Sequence, residues 1–167
     1  RGWNKTLVEL AAAIFDPSTK FEDLKWLQTV WDGPIIVKGV QNLQDAKQLA
    51  KMGVAGIILS NHGGRQLEKG PVPLELLPEV VQDVGNKLDI YLDGAVMSGQ
   101  DAYAAVAMGA KGVFIGRAYL YGVMAGGEQG VQRVIEIMKR DFINTMELTG
   151  ARNIAEAQKI GAKLRLN

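Results

Sequence analysis

The feature that most limits what this chain can fold into is a repeated alternation. Four short apolar runs, PIIVKG at 34–39, GIILSN at 56–61, IYLDG at 90–94 and GVFIGR at 112–117, begin 22, 34 and 22 residues apart. Each is too short for a helix and apolar at successive positions, as a parallel strand covered on both faces must be. Helical patterns fill the gaps. Asn42 caps a helix with Asp45 at its third position, Ala46, Leu49 and Ala50 form its inward stripe, and Gly53 ends it. Leu77, Val80, Val81 and Val84 mark a second helix within 74–84. Ser98 and Asp101 form a capping box ahead of Ala102, Ala105 and Val106, with Gly109 as the stop.

Before the first strand, Thr19 and Glu22 open a helix carrying Leu24 and Leu27 that leads into Trp31. After the last strand, Val131, Val134, Ile135, Met138, Phe142 and Met146 keep helical spacing, and 153–163 predicts a short helix. The tail 164–167 is expected to be loose. No low-complexity linker and no second domain is visible. The order is thus β-α-β-α-β-α-β-α, which means right-handed crossovers and a parallel sheet. Two architectures fit: an open doubly wound sheet, or part of a (β/α)8 barrel, which takes about 200–250 residues and eight strands. Four strands alone leave two bare edges and an uncovered inner face. A missing partner is therefore expected: an N-terminal half cut away, disordered between pieces, or carried on another chain. The start, Arg1-Gly2-Trp3-Asn4, lacks a methionine and fits the middle of a longer protein or a processed product.

Composition removes several classes. The 167 residues carry a net charge of +1, with no long single-sign run, so neither nucleic acid nor an anionic surface is indicated as a partner. There is no cysteine, hence no disulfide, thiolate metal site or cysteine nucleophile; this suits a reducing compartment, and a cytoplasmic location is expected. A single histidine rules out a multi-histidine metal centre within the chain. No apolar stretch reaches the ~18 residues of a membrane span.

The polar residues gather at one structural position. Lys38 closes the first run, Ser60, Asn61 and His62 the second, Asp93 the third and Arg117 the fourth. In parallel α/β folds that rim binds ligands, because loops and helix N-termini converge there. Each residue also has a plain structural alternative. His62 is otherwise a hydrogen-bonded loop residue, Lys38 a satisfied ammonium at a strand end, Asp93 the cap of the next turn, and Gly116-Arg117 a surface turn. Two features favour chemistry. Gly63 and Gly64 let backbone approach a ligand closely, and Arg65 offers a fork for a carboxylate beside an imidazole suited to proton exchange. Gly116-Arg117 equally suits a phosphate. Trp3, Trp26 and Trp31 read as core or packing surface rather than a cofactor box.

With these motifs in place, the chain resembles the C-terminal half of the FMN-dependent α-hydroxy acid dehydrogenase/oxidase family. The resemblance runs from about 16 to 150 and rests on PIIVKG, SNHGGRQL at 60–67, LDGAVMSGQD at 92–101 and GVFIGRAYLYG at 112–122. It implies a (β/α)8 barrel with FMN at the C-terminal mouth, this chain supplying strands five to eight, and 1–167 as one half-barrel unit. It implies oxidation of an L-2-hydroxy acid to the 2-oxo acid, and a homo-oligomer, a tetramer. Carried over by position, Lys38 faces the flavin N1/O2 edge, Ser60 contacts the cofactor and His62 is the base. Arg65 pairs with the substrate carboxylate and Asp93 binds the ribityl chain. Gly94, Ala95, Met97, Gly116 and Arg117 surround the phosphate. Two positions depart from the family pattern. Ala95 replaces a glycine, and Met97 stands where an arginine is expected, a loss worth roughly 1.5–3 kcal/mol of charge-assisted bonding in a favourable site. The alternatives are an inert half-barrel that needs a companion chain, and a phosphate-binding barrel acting on another substrate.

Overall fold

The computed structural model describes residues 6–162. The chain divides into two compact units, 1–33 and 34–167. The first holds helices α1 (Leu7–Ile14) and α2 (Phe21–Val30). Helix α1 was not foreseen, although its signal is present. The Glu9 carboxylate accepts from the Thr6 backbone N–H at 2.8 Å while the Thr6 hydroxyl accepts from Glu9 N–H at 3.3 Å, a reciprocal capping box. Helix α2 starts one residue later than the Thr19/Glu22 pattern suggests, because Asp23 accepts from Lys20 N–H at 2.6 Å. Trp26 and Trp31 are 64% and 56% exposed, so of the two readings, core or packing surface, core does not hold for them. Trp3 and the tail 164–167 lie outside the described residues.

The second unit carries the sheet: β1 (Ile36–Val40), β2 (Gly56–Leu59), β3 (Asp89–Leu92) and β4 (Gly112–Val113). All neighbouring pairs are parallel and the spatial order is β1-β2-β3-β4. This order decides between the two architectures. A doubly wound sheet reverses its strand order at a switch point. Here the order never reverses, so right-handed crossovers bring every helix to one face. Those helices are α3 (Leu43–Lys51), α4 (Pro73–Val84) and α5 (Gly99–Ala107). Their stripes fall where the spacing places them, with Ala46, Leu49, Leu77, Val80, Val84, Ala105 and Val106 buried. Beneath them lie Val40, Ile57, Leu59, Ile90 and Leu92, also buried. The register rows Ile36–Gly56–Asp89 and Lys38–Ile58–Tyr91–Gly112 lie on the opposite face. That face is open: Ile36 is 47% exposed and Phe114, whose ring meets Tyr91 edge-on at 5.9 Å, is 46% exposed.

After the strands comes α6 (Arg117–Thr149), broken at Gly126 and Gly127, which leave helical geometry. The break bends the chain back so that the Gly122 and Gly130 backbones touch, and a Cβ on Gly122 would lie 2.8 Å from the Gly130 carbonyl. The first arm of α6 escapes sequence reasoning because its glycines argue against helix. The second arm matches the spacing at Val131, Val134, Met138, Phe142 and Met146, which are partly buried, whereas Ile135 is 54% exposed. This arm lies on α5: Tyr103 packs edge-on to Phe142 at 5.6 Å, its hydroxyl meets Thr149 Oγ1 at 2.6 Å, and Asp141 Oδ2 accepts from the Gln100 N–H at 3.0 Å. The short helix α7 (Ile154–Ile160) completes the cluster through buried Ala157.

At Gly99 the α6 backbone lies directly against α5, and a Cβ there would collide with the Met138 carbonyl and the Phe142 N–H. Both obstacles are backbone and cannot swing aside. Gly99→Ala is therefore expected to lower unfolding free energy by about 1–3 kcal/mol in a urea titration. A change smaller than about 0.5 kcal/mol would show that this helix contact is looser than described.

Candidate active site

Four strand ends deliver the polar residues to one rim. A bulge between Lys38 and Val40, with Gly39 at φ +94°, turns the end of β1. The Lys38 ammonium reaches Asp93 Oδ2 at 2.6 Å and donates to Ser60 Oγ at 3.0 Å. Ser60 is itself buried, and its hydroxyl also accepts from the His62 backbone N–H at 3.1 Å. One hydroxyl thus ties the exits of β1 and β2, and one ion pair ties β1 to β3. The Asp93 side chain is 15% exposed, and its second oxygen, Oδ1, is buried with no hydrogen-bond partner among the described residues. A buried acceptor left unpaired costs about 1–3 kcal/mol. Its natural complement is a donor brought by a ligand.

Beyond Ser60 the chain enters a single 3₁₀ turn, His62–Gly64. His62, Gly63 and Gly64 have φ of +55°, +67° and +76°, three successive left-handed residues. For histidine this conformation is strained, by roughly 1–2 kcal/mol. The strain persists because neighbouring hydrogen bonds fix the turn. The Arg117 guanidinium lies over Gly63, where a Cβ would stand 3.2 Å from Arg117 Nη2. After β3, Gly94 and Ala95 are left-handed at φ +96° and +59°. Gly116 caps α6 with no side-chain bond, so the first-turn amides beside Arg117 face outward.

These residues surround a cavity of about 400 Å³, lined by Lys38, His62, Arg65, Asp93, Gly94, Ala95, Met97, Gly116 and Arg117. Of the residues singled out in the sequence, Ser60, Asn61 and Gly64 do not line it; Ser60 and Asn61 line an adjoining recess with Lys38 and His62. Sequence reasoning missed Phe114, Tyr119 and Leu120, which also line the cavity. The last two sit in the unforeseen first turn of α6. The size suits a drug- or cofactor-sized molecule.

The residues present fit FMN on structural grounds. A helix N-terminus with an arginine suits a phosphate. An orphan carboxylate oxygen suits a polyol hydroxyl, and an ammonium beside it suits an electron-rich ring edge. Met97, 44% exposed in the cavity wall, contributes no charge.

A protein-family model described as FMN-dependent dehydrogenase matches residues 2–162. The chain belongs to this family. Its four β/α units are half of a (β/α)8 barrel. It is 44% identical to the 2-hydroxyacid oxidase 1 of Mus musculus over 158 residues, covering 95% of the chain and 43% of that protein. Identity to an L-lactate dehydrogenase of Caulobacter vibrioides is 44% over 144 residues, covering 86% of the chain and 38% of that protein. Among solved structures, a flavocytochrome b2 variant with sulfite bound superposes with a TM-score of 0.83 at 39% identity, covering 86% of this chain and 39% of that one. The chain thus spans about two-fifths of the length of the relatives it matches.

Ala95 provides a test of the loop after β3. Its left-handed φ penalises a Cβ by about 1–2 kcal/mol, and the greater freedom of glycine in the unfolded chain returns about 0.4–1 kcal/mol of that. Ala95→Gly is expected to raise unfolding free energy by about 0.5–1 kcal/mol in chemical denaturation. A loss of stability would mean that the Ala95 side chain makes a contact this structure lacks.

Proposed function

We propose that the chain is the C-terminal half of an FMN-dependent enzyme that oxidises an L-2-hydroxy acid, lactate- or glycolate-like, to the 2-oxo acid. The observation that carries this reading is the shared cavity of His62, Arg65, Lys38, Asp93 and Arg117. The names of the relatives, a 2-hydroxyacid oxidase and an L-lactate dehydrogenase, support it. FMN, when bound, would accept the two electrons and one of the two protons that the substrate loses. The chain's own residues do the rest. Arg65 grips the carboxylate with its planar fork and so fixes the carbinol carbon in the cavity. The His62 imidazole takes up one proton that the substrate releases. Lys38 holds positive charge where the ring gains negative charge. Asp93 Oδ1 would hold the ribityl chain by accepting a hydrogen bond, and Arg117 with the first-turn amides of α6 would hold the phosphate.

The other half of the barrel supplies the remaining four strands and covers the open face of the sheet. The complete protein assembles as a homo-oligomer in a reducing, cytoplasmic setting. A second reading, a half-barrel inert by itself, draws on that same open face and on the two-fifths span. Titrating this chain with FMN and following flavin fluorescence separates the two. Saturable binding with turnover by the chain alone would dismiss the inert half-barrel.

In the complete, FMN-loaded protein, His62→Gln is expected to slow flavin bleaching by substrate about 10²–10⁴-fold, the range for a lost general base. Bleaching at the unaltered rate would remove His62 from that role. Met97→Arg is expected to tighten FMN binding about 10–100-fold, as one charge-assisted bond to phosphate would. An unchanged dissociation constant would mean that Met97 does not face the phosphate.

A further inference from the structure

Both residues assigned to the substrate, His62 and Arg65, ride on one loop between β2 and α4, and beside Ser60 Oγ, which accepts from the His62 N–H at 3.1 Å, the Asn61 side chain holds that loop at both ends. Asn61 Oδ1 accepts from the Gly63 N–H at 3.0 Å, setting the turn that places His62 at φ +55°. The Asn61 carbonyl accepts from the Gly64 N–H at 3.0 Å, closing the same turn. On its other side Asn61 Nδ2 donates to the Pro71 carbonyl at 3.2 Å, ten residues along the chain. One amide therefore shapes the start of the loop and ties its start to its end. A flipped amide would set Nδ2 against an N–H and Oδ1 against a carbonyl, so both partners together fix its orientation. The neighbouring segments make room for it. A Cβ on Gly94 would lie 3.1 Å from Asn61 Oδ1, and one on Gly70 would lie 3.6 Å from Asn61 Cβ.

We infer that Asn61 is the positioning residue of the site: it touches neither substrate nor cofactor, but holds the His62–Arg65 loop in the one conformation that presents both groups to the cavity. The inference rests on the proposed oxidation for its kinetic arm only. The physical basis is that the loop, exposed from Gly64 to Lys69, has little packing of its own. Its order then depends on the few bonds at its ends. Asn61→Asp keeps the acceptor for Gly63 but turns the Pro71 side into an oxygen facing an oxygen. Asn61→Ala removes both bonds.

The test uses the complete, FMN-loaded protein and two measurements. The first is the rate of trypsin cleavage after Arg65 and Lys69, which reads loop opening without reference to activity. Asn61→Ala is expected to speed cleavage about tenfold or more, with Asn61→Asp between it and the unaltered protein. The second is turnover of a 2-hydroxy acid. Asn61→Ala is expected to lower kcat and raise KM together, for a loss of about 10²-fold in kcat/KM, because base and clamp are displaced together. FMN affinity should stay within about threefold, since a fall in cofactor binding large enough to explain the kinetics would signal general damage instead. Cleavage and kinetics both at unaltered values would overturn the inference, as would a kinetic loss matched by an equal loss of FMN. If the unaltered protein oxidises no 2-hydroxy acid, the functional reading fails, and the trypsin rates alone decide the role of Asn61.

Discussion

The site depends on one ion pair. The 2.6 Å contact between Lys38 and Asp93 joins the exits of β1 and β3 across β2, and Ser60, on β2's own exit, accepts from the same ammonium. Three strands are thereby held at fixed relative positions where they leave the sheet. The pair is half-open to water on the lysine side, so its worth lies less in stability than in placement. It consumes one oxygen of Asp93 and leaves the other buried and unpartnered among the described residues. A fold that tolerates such an oxygen keeps an acceptor ready for something it binds. Strain beside it points the same way. His62 and Ala95 are the non-glycine residues with left-handed φ among those described, and both line the same cavity.

The sheet explains why these residues meet. Parallel strands in sequential order send all their C-terminal ends to one edge, so Lys38 and Ser60, 22 positions apart, and Lys38 and Asp93, 55 apart, become neighbours there. The helix-bearing face buries Ile57, Leu59, Ile90 and Leu92 and fixes the strands. The opposite face leaves Ile36 and Phe114 half-exposed beside Lys38 and Asp89, large apolar side chains set next to charged ones. An inner barrel face has this character, and the two-fifths span of the relatives agrees with it.

Much of this was legible in the sequence, for identifiable reasons. Burial on both faces demanded the uninterrupted apolar runs, and Asn42 and the Ser98/Asp101 box announced two helices through bonds seen at 2.8 and 3.1 Å. The runs overshoot the strand ends by two residues at β2 and β3 and by four at β4, while β1 reaches one residue beyond its run; at β2, Ser60 and Asn61 turn to side-chain bonds instead. The glycines of α6 concealed its first arm, since propensity counts a glycine as a weakness. Gly122 instead serves a backbone contact with Gly130, eight residues on and across the break at Gly126 and Gly127. The orphan oxygen of Asp93 had no sequence signature at all. It arises from how Lys38 approaches, which only the folded sheet determines.

The most direct test of the shared mouth is a crystal structure of the complete protein with FMN. The account predicts that Asp93 Oδ1 acquires a flavin hydroxyl within hydrogen-bond reach, about 2.5–3.0 Å, with Lys38 still paired to Oδ2 and the phosphate at the start of α6. A flavin seated away from Lys38, Asp93 and Arg117, or an Asp93 Oδ1 satisfied by the protein's own other half, would contradict it.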